Sequence, residues 1–303
     1  MSSLFVKSFT QSTPQISSEL IASPSKSQTL RAILFASLAT DKQPSKVYNY
    51  LASPDAQAMI AACQLLGATI DQKTDCLEII GMHGKPSLPQ DIIDAGNSGI
   101  VYRFIAAIAA HIDGYTVITG DESIRTKRPA SALLSGLRQL GADCISTQNN
   151  DKAPIIIKGP IKNGNIIIDG QDSQPVSALI ITSIFLSGPT EINVLNPGEI
   201  PWVNVTLEWL KKFNIKYRNN NFKKIIVFNA DNNNKNLITN FDYTVPGDFS
   251  SVLYPIAACI ITGVKLTITQ LDFADAQGDK FVLEILQAMG ADIAIDTEQK
   301  KLK

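Results

Sequence analysis

Four stretches of this chain resemble one another at intervals of about 75 residues, and that period limits the possible folds more than any other feature. They are AMIAACQLLGATI from Ala58, SALLSGLRQLGADCI from Ser131, VTLEWLKKFNIKY from Val205 and FVLEILQAMGADI from Phe281. Each has apolar residues at helical spacing, such as Met59, Cys63 and Leu66, or Val282, Ile285 and Met289. Each then meets a helix stop, at Gly67, Gly141, Asn214 and Gly290, spaced 74, 73 and 76 residues apart. The position after a helix often needs a left-handed backbone, which Gly adopts freely and Asn tolerates.

A second helix type recurs with the same period. Its copies are SPSKSQTLRAILFASLA from Ser23, GNSGIVYRFIAAIAA from Gly96, DSQPVSALIITSIFLS from Asp172 and GDFSSVLYPIAACIITG from Gly247. Each opens on small polar residues and then becomes apolar nearly all round, the pattern of a buried helix. Strand candidates lie between the helices: TVITG, PIIIKG, NIIIDG, KIIVF and KLTIT. The expectation is an α/β protein of repeated units, each with one buried helix, one amphipathic helix and several strands. The starts of the buried helices carry Ser, Gly, Asn and Asp, so their free N–H groups are natural anion sites.

Cationic side chains sit at or near these starts. Lys26 and Arg31 belong to the first buried helix, Arg103 lies one turn into the second, and Arg125, Lys127 and Arg128 precede Pro129 in a loop, TGDESIRTKRP. A charge within an apolar helix is costly unless it is paired, so Arg31 and Arg103 point to anion sites rather than to solvent. Arg suits a bidentate grip on carboxylate or phosphate.

Composition excludes much else. The 303 residues are 45% apolar and 18% charged with net charge −1, so the chain can build a core and has no electrostatic footprint for nucleic acid. The Lys-rich stretch from Lys211 to Lys224 reads as a solvated helix end and a hairpin. Asn219–Asn221 and Asn232–Asn234 read as loops in hairpins. Cys63, Cys76, Cys144 and Cys259 have neither metal-ligand nor redox spacing and read as small buried residues. His83 and His111 have no partners for a triad or zinc site and read as structural. With no signal-peptide core and no long apolar run, the expectation is a soluble cytoplasmic protein. Nucleotide-binding and protease motifs are missing.

The same residues carry a family resemblance along nearly the whole chain. SPSKSQTLRAILFASLA resembles the Ser-Lys-Ser…Arg start of the EPSP synthases (3-phosphoshikimate 1-carboxyvinyltransferases). DAGNSGIVYRFIAAIAA is similar to their Gly-Asn-x-Gly helix start, and ITGDESIRTKRPASALLSGLRQLGAD to their Thr-Gly-Asp…Arg-Pro loop. DSQPVSALI, IPWVNVTLEWLKKF and VPGDFSSVLYPIAA resemble later landmarks in the same order. The UDP-N-acetylglucosamine enolpyruvyl transferases, a sister family, fit less well at the Ser-Lys-Ser…Arg start and the Arg-Pro loop.

The resemblance implies a two-domain enolpyruvyl transferase fold built from βαβαββ units. Residues 22–243 would form a complete three-unit domain, and residues 1–21 with 244–303 part of a second. It implies an enzyme of aromatic amino acid biosynthesis that joins phosphoenolpyruvate to the 5-hydroxyl of shikimate 3-phosphate. It implies no metal or organic cofactor, no membrane or nucleic-acid partner, and a monomer when complete. By motif position, Lys26, Ser27, Arg31, Ser173, Gln174 and Trp202 would hold shikimate 3-phosphate. Lys26, Asn97, Gly99, Arg103, Arg128 and Gln174 would hold phosphoenolpyruvate, with Lys26 the catalytic group.

The chain also departs from the family. Asp172 and Glu199 stand where phosphate-binding Ser residues are usual, Ile100 where many members have Thr, and Phe104 where many have Pro. The family has six repeat units, whereas four are found here, and the remaining third usually supplies acid and base groups. The expectation is therefore a fragment of such an enzyme, with completion by a second polypeptide as the alternative. A non-catalytic anion-binding module and a purely structural repeat protein are the competing readings. The former shares recognition of shikimate 3-phosphate without turnover, and the latter predicts no binding.

Overall fold

The computed structural model describes residues 18–228 and 238–303. Asn232–Asn234 lie outside the described residues. The chain divides into a larger unit, residues 24–245 with 275–278, and a smaller one formed by the remaining segments.

The larger unit contains one pattern three times. Its first copy runs through α1 (Lys26–Ser37), β2 (Ser45–Tyr48), α2 (Pro54–Leu65), β3 (Thr69–Gln72) and β4 (Cys76–Ile80), after β1 (Ser18–Ile21). The second comprises β5 (Ile93–Asp94), α3 (Gly99–Ala109), β6 (Tyr115–Thr119), the short α4 (Glu122–Lys127), α5 (Ser131–Gln139), β7 (Asp143–Ser146) and β8 (Ile155–Lys158). The third comprises β9 (Asn165–Asp169), α6 (Ser173–Ser183), β10 (Thr190–Leu195), α7 (Ile200–Lys212), β11 (Tyr217–Asn220) and β12 (Lys224–Val227). After β13 (Asp242–Thr244) come α8 (Phe249–Thr262), β14 (Leu266–Thr269), α9 (Val282–Ala288), β15 (Ile295–Asp296) and β16 (Lys301–Leu302).

All four sheets share one strand order: β13-β2-β4-β3, β5-β6-β8-β7, β9-β10-β12-β11 and β1-β14-β16-β15. The first two strands of each pair in parallel and the others antiparallel, as at Ile93↔Ile118 and Val47↔Leu77. Two strands are exchanged. The strand before α1 in sequence, β1, pairs with β14 of the smaller unit, while the strand before α8, β13, pairs with β2 of the larger one.

Local chemistry explains the helix boundaries. Ser53 caps α2 by accepting from the Ala56 N–H, with Pro54 at the first position and Asp55 in the first turn. The four stops expected from sequence all adopt positive φ: Gly67 at 109°, Gly141 at 99°, Asn214 at 56° and Gly290 at 95°. Apolar strand and helix faces of the larger unit merge into one core.

The structure corrects one reading. The segment ESIRTK is a helix rather than a loop, because Asp121 caps it by accepting from the Ser123 and Ile124 N–H groups. Lys212 is exposed at the end of α7, as expected, and also makes ring contacts. Its ammonium lies over the rings of Tyr243 (4.2 Å), Phe241 (5.2 Å) and Trp209 (5.3 Å), and burial lowers its pKa.

Candidate active site

The three apolar helices of the larger unit present polar starts of different kinds. At α1 the Ser25 side chain makes no cap bond, so the first-turn N–H groups are left to other partners. At α3 the Ser98 hydroxyl accepts from the Val101 N–H at 3.4 Å. The Gly99 and Ile100 N–H groups have no partner among the described residues. At α6 the Asp172 carboxylate accepts from the Gln174 N–H at 2.9 Å.

Cationic groups gather at the α3 start. Gly99 is packed so closely that an added Cβ would lie 2.8 Å from Arg103 Nη1, 2.9 Å from Arg128 Nη1 and 3.0 Å from Gln174 Oε1. The missing side chain is what lets two guanidinium groups and an amide approach the helix backbone. Arg103 is buried and donates to Gln174 Oε1 at 2.7 Å and to the Pro129 carbonyl at 2.8 Å. It also pairs with Asp172 at 3.1 Å, and its Nε has no partner among the described residues. Burial lowers the Arg103 pKa, opposed chiefly by the Asp172 charge, with the neighbouring Arg128 lowering it further. Arg128 is half-buried and has no hydrogen-bond or ion-pair partner among the described residues.

Arg31 is held differently. Its Nε and Nη2 donate to Thr206 Oγ1, both at 3.0 Å, while Nη2 also reaches the Trp202 carbonyl and Nη1 the Ser27 carbonyl, each at 3.2 Å. The Phe104 ring lies 5.3 Å from its guanidinium carbon. Burial pushes the Arg31 pKa down to about 10, opposed by the charge of Asp275. The pairing required of a cation in an apolar helix is thus supplied by α7 and by a ring from α3.

The other candidates lie nearby in sequence but in varied settings. Lys26 is half-exposed, with its ammonium 3.5 Å from Asp55. Ser27 is buried, its hydroxyl 3.4 Å from that of Ser25. Asn97 is exposed, and Trp202 is half-buried against the core. Ser173 is buried and donates through N–H (3.3 Å) and hydroxyl (2.8 Å) to Glu199 Oε2. This Glu199–Ser173 contact and the Asp172–Arg103 pair are the features that sequence reasoning lacked. Arg125 is turned away, donating to the Gly120 carbonyl, and Lys127 is exposed.

Among the described residues no cluster of His, Cys, Asp and Glu has the arrangement of a metal site. No described helix is long and apolar enough to cross a membrane. The four cysteines are free thiols, and burial pushes those of Cys63 and Cys144 up to about 12.

The chain is similar to known proteins along nearly its whole length. The model of the EPSP synthase (3-phosphoshikimate 1-carboxyvinyltransferase) family matches residues 10–303. A 3-phosphoshikimate 1-carboxyvinyltransferase of Acetivibrio thermocellus is 39% identical over 92% of this chain and 64% of its own length. One from Methanosarcina mazei is 41% identical over 93% of this chain and 65% of its own. The chain thus spans just under two thirds of the length of these relatives. In fold it is similar to the EPSP synthase of Acinetobacter baumannii, with a TM-score of 0.76 at 23% identity, covering 92% of this chain and 60% of that one.

Proposed function

The chain belongs to the EPSP synthase family, and from that premise we propose that it takes part in enolpyruvyl transfer from phosphoenolpyruvate to the 5-hydroxyl of shikimate 3-phosphate. The observation that carries this reading is the pair of guanidinium groups at the α3 start. Arg103 and Arg128 approach the same point beside Gly99, where two N–H groups are open. Like charges gathered at the positive end of a helix call for an anion between them. Phosphoenolpyruvate carries a phosphate and a carboxylate on the same carbon, which suits two guanidiniums and a helix start.

In this reading Asn97, Gly99, Arg103, Arg128 and Gln174 hold phosphoenolpyruvate. Ser27, Arg31, Ser173, Gln174 and Trp202 serve the acceptor, and Arg31 contributes charge while its donors stay on protein acceptors. Lys26 serves both substrates and is the catalytic group. The acceptor hydroxyl gives up its proton as it adds to the enol carbon, and the methylene gains one. The resulting tetrahedral intermediate then expels phosphate while its methyl group loses a proton, which re-forms the double bond. Fixed cations stabilise the charge on that leaving group, an effect worth most where water is excluded.

The test is phosphate release from phosphoenolpyruvate by the purified chain, with and without shikimate 3-phosphate, alongside calorimetric binding of phosphoenolpyruvate. Arg128→Ala is expected to weaken phosphoenolpyruvate binding about 30-fold, near 2 kcal/mol, the scale for losing one partner of a charged contact. Phosphate release is expected to require shikimate 3-phosphate and to vanish in the same variant. Binding unchanged by Arg128→Ala, or release that ignores shikimate 3-phosphate, overturns the reading.

A further inference from the structure

Among the three apolar helices of the larger unit, α6 alone has its start filled. Among the described residues, no side chain caps the first turn of α1, and at α3 two N–H groups stay open. At α6 every first-turn donor is taken by a carboxylate or is absent. The Ser173 N–H and hydroxyl go to Glu199, the Gln174 N–H goes to Asp172, and Pro175 has no N–H to offer.

Glu199 is an unusual group to find there. It immediately precedes α7, yet it makes no cap bond to that helix and spends its carboxylate on α6. Its backbone is left-handed at φ 45° and ψ 39°, a conformation that a residue with a Cβ disfavours. A buried cation backs the same place. Arg103 contacts Asp172 and Gln174, both at the α6 start, and its Nε is left without a partner among the described residues. The α6 start therefore has the donors and the charge of an anion site, and a side chain of this protein is the anion.

We propose that Glu199 is a built-in anion that occupies the α6 start and sets the charge selectivity of the acceptor site, so that an acceptor's phosphate reaches Ser173 only by displacing it. This rests on the reading of Ser173 as an acceptor ligand. Displacement breaks two hydrogen bonds to Ser173 and leaves a phosphate beside the carboxylates of Asp172 and Glu199, of which Arg103 pairs with the first. The advantage of a phosphorylated over an unphosphorylated acceptor is correspondingly reduced. Removing the carboxylate restores it.

The test compares the full chain with Glu199→Gln, which keeps size and loses charge, and Glu199→Gly, which suits the left-handed backbone and removes the carboxylate altogether. Inorganic phosphate is titrated while the Ser173 backbone amide is followed by NMR, and binding of shikimate 3-phosphate and of shikimate is measured in parallel. Phosphate is expected to bind at Ser173 about tenfold more tightly in Glu199→Gly, equivalent to about 1.4 kcal/mol, with a smaller gain in Glu199→Gln. The preference for shikimate 3-phosphate over shikimate is expected to rise in the same order. Equal phosphate affinity in all three proteins overturns the proposal. An unchanged preference for shikimate 3-phosphate in all three also overturns it, while leaving the acceptor reading intact. Tighter phosphate binding in the variants without any preference for shikimate 3-phosphate leaves Glu199 as the occupant of the site and removes the acceptor reading instead.

Discussion

Helices α6 and α8 are written alike and end up in different surroundings. The sequence of α6, SQPVSALIITS, is buried at every residue except Gln174. The sequence of α8, FSSVLYPIAACIIT, is just as apolar, yet only Phe249, Val252 and Ile256 are buried. Tyr254 is 81% and Ile261 83% exposed. In the larger unit, α6 packs against α3, α5 and α7. In the smaller unit, α8 rests on β14 and borders a cleft of about 640 Å³ lined by Ile256, Cys259, Ile260, Val264 and Ile293. Helix hydropathy thus states which surface has to be covered, and the neighbouring elements decide whether it is.

The largest expected effect tests that contrast directly. Leu179→Ala on α6 removes a fully buried side chain from the core and should cost about 3 kcal/mol. Ile261→Ala on α8 should change stability by less than about 0.5 kcal/mol. Urea unfolding followed by circular dichroism reads both, because the two tryptophans, Trp202 and Trp209, both lie on α7. A cost at Ile261 equal to that at Leu179 would break the comparison, since it would mean that the α8 face is covered in solution.

A second effect concerns the junction between α3 and α6. His111 follows α3, and its Nε2 lies 2.7 Å from the Thr182 hydroxyl and 3.1 Å from the Thr182 carbonyl on α6. Burial pushes its pKa down from 6.5 to about 4, with the Thr182 bond opposing. A folded pKa below the unfolded one means that the unfolded chain takes up the proton first. The stability contributed by neutral His111 is therefore complete above pH 6.5 and is lost as pH falls toward 4, by about 3 kcal/mol. His111→Gln should flatten this part of the profile when urea midpoints are compared between pH 7 and pH 4.5. An unchanged drop would show that the imidazole is not held neutral between the helices.

Much of this was legible in the sequence where the cause is local. Gly67, Gly141, Asn214 and Gly290 announced the helix ends because a left-handed residue is needed there. Arg31 and Arg103 announced a need for partners because a lone charge in an apolar helix is too costly. Their actual partners were not legible. Thr206 is 175 residues from Arg31, and Gln174 is 71 residues from Arg103. The Glu199–Ser173 contact depends on how α7 follows α6 in space, and no spacing rule encodes it. The ring contacts of Lys212 were not legible for the same reason, since two of the rings beneath its ammonium come from Phe241 and Tyr243, beyond the hairpin that follows α7. The exchange of β1 and β13 between the units is likewise a choice between distant partners of equal strand character.

The smallest expected effect uses one substitution on both kinds of helix. Tyr102 on α3 is fully buried, and its hydroxyl has no hydrogen-bond partner among the described residues. Burial raises its pKa, so the phenol stays neutral and simply carries an unmet polar group. Tyr102→Phe removes that group without changing the ring and should stabilise the protein by about 1 kcal/mol. Tyr254 on α8 keeps its hydroxyl in water, so Tyr254→Phe should leave stability unchanged while making an apolar surface slightly more so. Thermal unfolding of the two single variants against the parent separates the cases. A loss of stability in Tyr102→Phe would mean that the phenol has a partner, such as a bound water, and that the α3 interior is wetter than its sequence implies.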